Sequence, residues 1–207
     1  MRNILLTISY DGTDFCGWQR QDWGEVKNYQ RTVQGEIEKA LEKIHKEPVI
    51  LYGSGRTDSG VHAMGQAANF VSTVDSIPVE KYPIAINSFL PQDIRIIDAK
   101  EVPEEFNARF SATSRVYRYF ICPEKIHAFQ TRYAWFVNYH PNLERLNTLA
   151  ECLRGEIDCA SFAASGDMSL STFRYLNNAH FFTQLNPLDG REMIVFEIEA
   201  NAFLWKM

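Results

Sequence analysis

Gly53-Ser54-Gly55-Arg56-Thr57-Asp58-Ser59-Gly60-Val61-His62-Ala63 joins two strand-like stretches. Val49-Ile50-Leu51-Tyr52 precedes it, apolar and rich in β formers, and Gly65-Gln66-Ala67-Ala68-Asn69-Phe70-Val71 follows it. Three glycines between two strands mark a backbone that bends sharply or lets something come close. Two readings are open for the aspartate in this turn. Asp58 caps neighbouring amides, as aspartates in tight turns do, or it is a nucleophile or general base presented beside Arg56.

Working outward, the elements alternate. Asn3–Tyr10 reads as a strand, with Ile4, Leu6 and Ile8 on one face. Asp11–Arg31 has no periodicity and is longer than a plain connector, which points to a binding loop. Thr32 is the expected N-cap of a helix running to about Lys46, because Val33, Ile37, Leu41 and Ile44 share one face. Past the glycine-rich turn, Pro78 opens a second helix that stops before Pro91, and Asp93–Val102 is a strand. Val102–Glu105 reads as a linker, so the expected halves are residues 1–104 and 105–207.

The second half has the same rhythm. Ser114–Cys122 is a strand, and an aromatic loop runs to about Pro141. A helix is expected from Asn142 to about Leu153, with Leu143, Leu146, Leu149 and Leu153 inward and Gly155 ending it. Two long strands, Phe173–Thr183 and Arg191–Ala200, meet at the turn Asn186-Pro187-Leu188-Asp189-Gly190. Element order, not residue identity, suggests a duplicated α+β unit.

Composition narrows the class. A chain of 207 residues that is 45% hydrophobic and 23% charged can bury a core as one large or two small domains. No run is long enough to span a membrane, and the first residues are strand-like rather than a signal peptide. Cys16, Cys122, Cys152 and Cys159 form no CxxC pair and the histidines are scattered, which points to a reduced, cytoplasmic setting and no metal site. The net charge of −5 argues against a general polyanion binder, yet charge is unevenly spread. Residues 106–135 carry five basic groups (Arg109, Arg115, Arg118, Lys125, Arg132), one acid (Glu124) and many aromatics, among them Tyr117, Tyr119 and Trp135. Bases among rings suit an RNA surface, charge for phosphate and rings for unstacked bases; a strand with a solvated basic face would look the same. A phosphate-binding loop is a weaker reading of the glycine-rich turn, which lacks the GxxxxGK[ST] lysine.

Residues 53–63 resemble, almost letter for letter, the active-site motif of the TruA-type tRNA pseudouridine synthases. Other blocks are similar to that family in order. They are Asp11-Gly12-Thr13 with Phe15 and Gly17-Trp18-Gln19, Thr32-Val33-Gln34, Phe106–Ala112, Arg115-Val116-Tyr117-Arg118-Tyr119, and Asn201-Ala202-Phe203-Leu204 with Met207.

The resemblance implies an α+β protein of two similar ferredoxin-like/RRM-like halves sharing a mixed, mostly antiparallel sheet around a central cleft. It implies isomerisation of uridine to pseudouridine at about positions 38 to 40 of the tRNA anticodon arm, after the base leaves its stack. No redox step or outside group is needed, so no cofactor and no metal are implied. By motif position Asp58 is the catalytic carboxylate, attacking C1′ or the uracil ring, or removing a ribose proton. Arg56 would fill the vacated space or hold a phosphate, Tyr117 would stack on the displaced uracil, and Arg109 and Arg115 would contact phosphates. His62 reads as structural; Trp18 and Gln19 carry no assignment. The family implies tRNA as partner, a homodimer, and neither DNA nor membrane. In the family the last motif continues into Val-Arg, whose arginine pairs with the carboxylate. The chain given ends at Met207, so the expectation is a form clipped at its C-terminus, of low activity and with exposed apolar surface. A non-catalytic RNA-binding module on the same fold is the alternative.

Overall fold

Strand β1 (Arg2–Tyr10) is the centre of the first half. Its period of two buries Ile4, Leu6, Ile8 and Tyr10, each fully buried aliphatic contributing about 1.5–3 kcal/mol. A computed structural model describes residues 1–21 and 30–207. The middle of the long loop expected over 11–31 therefore lies outside the described residues. The chain divides into two compact units, Met1–Ala112 and Thr113–Met207.

In the first unit α1 (Val33–His45) begins where expected: Thr32 accepts the Gly35 N–H, and Lys46 closes the helix in the left-handed region. Val33, Ile37 and Leu41 are buried in one core with Ile4, Leu6 and Ile8. β2 (Tyr52–Gly53), β3 (Ala63–Ser72), α2 (Tyr82–Asn87) and β4 (Ile94–Val102) follow. The sheet order is β2-β3-β1-β4, and every pair is antiparallel.

Two elements differ from their sequence patterns for local reasons. Val49–Leu51 alternates in burial like a strand but is not paired as one. The Leu51 N–H donates to the buried Glu38 carboxylate, and the Leu51 carbonyl accepts from Gln34, so side chains of α1 replace a strand partner. The second helix opens as a 3-10 turn at Val79–Lys81 before the α-helical part. On the sheet face opposite the α1 core, Asn3 donates to the Phe106 carbonyl and Asn69 accepts from Ala108 N–H, at 2.8 Å each. These two buried amides fasten residues 106–108 to the first unit.

The second unit holds β5 (Arg115–Cys122), β6 (Trp135–Phe136), α3 (Leu143–Ala150), β7 (Gly155–Asp158), β8 (Phe173–Leu185) and β9 (Glu192–Ala200). Its sheet order is β6-β5-β9-β8-β7, antiparallel except for β5 with β6. The α+β class and the two α/β halves stand. Among the described residues the strands lie in two sheets, one in each unit.

Helix α3 is shorter and rotated relative to its leucine pattern. Asn142 caps it by accepting the Arg145 N–H. Leu143 and Leu146 pack with Ile121, Val137 and Ile194, and Ala150 is buried, while Leu149 is 71% exposed. The buried face keeps Leu143 and Leu146 but continues through Ala150 in place of Leu149. Gly155 has φ +78° and opens β7 instead of merely ending the helix.

Candidate active site

The glycine-rich turn sits between β2 and β3, and its shape is set by side chains on both flanks. On the β3 side, Ser54 Oγ donates to Gln66 Oε1, and Gln66 Nε2 donates to the Gly55 carbonyl, both at 2.9 Å. On the other flank the chain leaving β1 clasps the turn repeatedly. The Tyr10 hydroxyl meets Thr57 Oγ1 at 2.8 Å, Trp18 N–H donates to the Thr57 carbonyl at 3.0 Å, and Ser59 Oγ donates to the Phe15 carbonyl at 3.0 Å. The Val61 N–H closes the turn onto the Asp58 carbonyl.

Glycines permit this close approach. A Cβ on Gly12 would lie 2.0 Å from the Val61 carbonyl oxygen. One on Gly17, whose φ is +94°, would lie 2.6 Å from the Thr57 carbonyl oxygen. His62 Nδ1 lies 3.1 Å from both Gly12 N and Asp11 Oδ1. The Gly12 N–H can only donate, so Nδ1 accepts there and carries no proton for Asp11, whose Oδ1 is already engaged by Thr13 N–H and Oγ1. Arg31 holds the far end of the first loop through a two-toothed pair with Asp93, at 2.6 and 2.8 Å, and stacks its guanidinium 4.1 Å above the Phe15 ring. The hydrogen bond to Asp93 raises Arg31 above its ordinary value.

Asp58 itself is exposed. Among the described residues its carboxylate accepts no hydrogen bond and forms no ion pair, so it does not cap the turn's amides. Arg56 is exposed as well and is not paired with Asp58. Arg109, fastened by Asn69 through its neighbour Ala108, is exposed; its N–H donates to Asn107 Oδ1 and its guanidinium lies 5.9 Å from the Phe110 centroid.

The second unit carries the other two expected residues. Tyr117 stands on β5 opposite Ile198, 37% exposed, with its ring edge-on to Phe203 at 4.9 Å. Arg115, two residues earlier, donates to the Asn201 carbonyl at 2.7 Å. Both are thus tied to the segment that follows β9. Arg118, one of the basic groups counted toward an RNA surface, pairs with Glu197 at 2.6 Å, so part of that positive charge is neutralised across the ladder.

Sequence reasoning passed over Tyr10, Gln66 and Ser59, which hold the turn. The signal for Tyr10 was present: it ends the apolar face of β1 with a hydroxyl in a buried place, and buried hydroxyls have partners. Among the described residues no three His, Cys, Asp or Glu side chains gather as a metal site, and no helix is long and apolar enough to cross a membrane.

The clamped turn thus holds an exposed aspartate and an exposed arginine on an α+β scaffold. A family model described as tRNA pseudouridine synthase matches residues 6–111, from β1 to the segment that Asn69 fastens. The chain is 52% identical over 207 residues to tRNA pseudouridine synthase A of Treponema denticola, covering all of this chain and 75% of that protein. It is 44% identical over 209 residues to the protein of that name from Brachyspira hyodysenteriae, and 42% identical over 208 residues to that from Caldicellulosiruptor bescii. All of this chain is again covered, with 79% and 80% of those relatives. The chain belongs to the tRNA pseudouridine synthase family.

Proposed function

We propose that this protein is a tRNA pseudouridine synthase that isomerises uridines at about positions 38 to 40 of the anticodon arm, with Asp58 as the catalytic carboxylate. The observation that carries this reading is the turn: its backbone is held on both sides of Asp58, and among the described residues the carboxylate has no partner. A carboxylate left unengaged on a fixed backbone suits a group that must meet substrate atoms.

The reaction breaks the N1–C1′ bond, turns the uracil over and forms C5–C1′; the proton leaves C5 and N1 takes one up. Atoms and oxidation state are conserved, so product and substrate are isomers. Asp58 attacks C1′ or the uracil ring, or takes a ribose proton; all three need the carboxylate ionised and close to the nucleoside. Arg56 extends from the same turn and fills the space the base leaves or holds a phosphate. Tyr117 supplies a ring for the displaced uracil, worth roughly 1–3 kcal/mol of stacking. Arg109 and Arg115 contact phosphates, each with a guanidinium able to direct several N–H groups. A homodimer acting in the cytoplasm completes the reading; the four unbridged cysteines fit a reduced compartment.

Turnover and binding separate under substitution. Asp58→Asn is expected to lower pseudouridine formation by at least about three orders of magnitude while tRNA affinity stays within a few-fold. Retained turnover in Asp58→Asn would remove Asp58 from the chemistry. Light scattering that finds a monomer at working concentration would remove the dimer.

A further inference from the structure

The Asp58 side chain has no bond of its own among the described residues, so the direction of its carboxylate is set by its neighbours in the chain. Thr57, immediately before it, is held twice. Its carbonyl accepts the Trp18 N–H at 3.0 Å, and its hydroxyl meets the Tyr10 hydroxyl at 2.8 Å. The first contact is backbone to backbone, and any residue at 18 except proline supplies it. The second needs a hydroxyl at both positions.

Tyr10 is built to hold that place. It is 4% exposed at the end of β1, where the ladder with β3 shifts register between Ile8 and Tyr10. Such irregularities re-aim a side chain beside a functional site. Its ring lies 6.1 Å from the Trp18 ring. Trp18 is 3% exposed and lies so close over Gly53 that a Cβ there would be 2.6 Å from the indole nitrogen. The tyrosine ring is therefore braced by packing, and its hydroxyl touches the turn one residue short of the carboxylate.

We propose that Tyr10 is a positioning residue for the isomerisation: through its hydroxyl it fixes Thr57 and so aims Asp58. The inference rests on the reading of Asp58 as the catalytic carboxylate. Tyr10 acts through Thr57 and touches no substrate atom.

The test measures single-turnover pseudouridine formation, tRNA affinity and melting temperature for Tyr10→Phe, Thr57→Val, the double variant, and Thr57→Ser. Tyr10→Phe keeps the ring and removes only the hydroxyl. The expected result is a rate about ten- to a hundredfold lower with tRNA Kd within about twofold of wild type. Thr57→Val shows the same loss, the double variant is no worse than the poorer single one, and Thr57→Ser restores most of the rate. Rates at the wild-type level well below the melting temperature, or losses that multiply in the double variant, overturn the proposal. If Tyr10→Phe fails to fold, the Thr57→Val and Thr57→Ser pair decides by the same rates. An active Asp58→Asn in the same assay would instead overturn the underlying reading, so the two failures are distinguishable.

Discussion

At the scale of single residues, Asp58 and Tyr117 differ in kind. Asp58 is exposed on a turn fastened by its neighbours, and among the described residues its carboxylate has no partner, which is what its proposed role draws on. Tyr117 is a strand residue braced edge-on by Phe203, with about a third of its surface left open. Its proposed task needs only the face of the ring. Tyr117→Ala is expected to weaken productive engagement of the uridine roughly 5- to 150-fold, the equivalent of one stacked base, and Tyr117→Phe to lie nearer wild type. Steady-state kinetics on an anticodon-arm substrate read the difference; equal losses in the two variants would show that the ring is not what matters. The capping role open for Asp58 in the sequence is not the one the fold uses, since backbone groups, Tyr10 and Gln66 hold the turn instead.

Among the elements, the glycines of the first loop separate two costs. Gly17 combines φ +94° with a carbonyl oxygen 2.6 Å from where a Cβ would stand, and that carbonyl belongs to Thr57. Gly60 has φ +81° with open space around it. Gly60→Ala is expected to cost only the left-handed backbone, about 1–2 kcal/mol. Gly17→Ala pushes on the turn itself and is expected to reduce turnover as well as stability. Thermal melts beside rate measurements check the pair, and matching losses of activity would contradict the distinction. Thr32→Ala, which removes the N-cap of α1, is expected to cost about 1 kcal/mol of stability with turnover intact. These elements also show what was legible. Periodicity found β1, α1, β3, β4, β5, β8 and β9 because each repeats its apolar pattern over eight or more residues. It misplaced Leu149, because leucine spacing mimics a face that the buried Ala150 in fact supplies. The β formers of 49–52 read as a strand, yet only Tyr52 pairs in one; at Leu51, Glu38 and Gln34 satisfy the backbone from α1, a partnership no local pattern records. The two-residue β6 and four-residue β7 are too short to carry a period. In the candidate site, the motif singled out Asp58 and Arg56 as candidates; the buried hydroxyl marked Tyr10 as a group that needs a partner, but Thr57, 47 positions away, carries no local signal of being that partner.

For the molecule as a whole, the two units are held by different chemistry. The first buries a continuous apolar core beneath β1. The second has two smaller clusters, and carboxylates tie its loops. Asp158 is held below its ordinary value of 3.8 by the Thr172 hydroxyl, Asp167 by the Trp205 N–H, and Asp189 by Gln130. A lowered folded-state value means that stability is fully present above the ordinary carboxylate range and is lost as pH falls through the lowered one. Acid is therefore expected to loosen the second unit's loops below about pH 4, with faster amide exchange at Trp205, whose N–H Asp167 accepts at 2.6 Å. Asp167→Asn is expected to abolish that pH dependence at Trp205; protection unchanged down to about pH 2 in wild type would contradict it. What the intact molecule does to RNA is read by mass-resolved mapping of pseudouridine in tRNA incubated with the protein. New pseudouridine is expected at about positions 38 to 40 of the anticodon arm with wild type and none with Asp58→Asn. Wild-type protein that binds the tRNA yet leaves those uridines unchanged would contradict it.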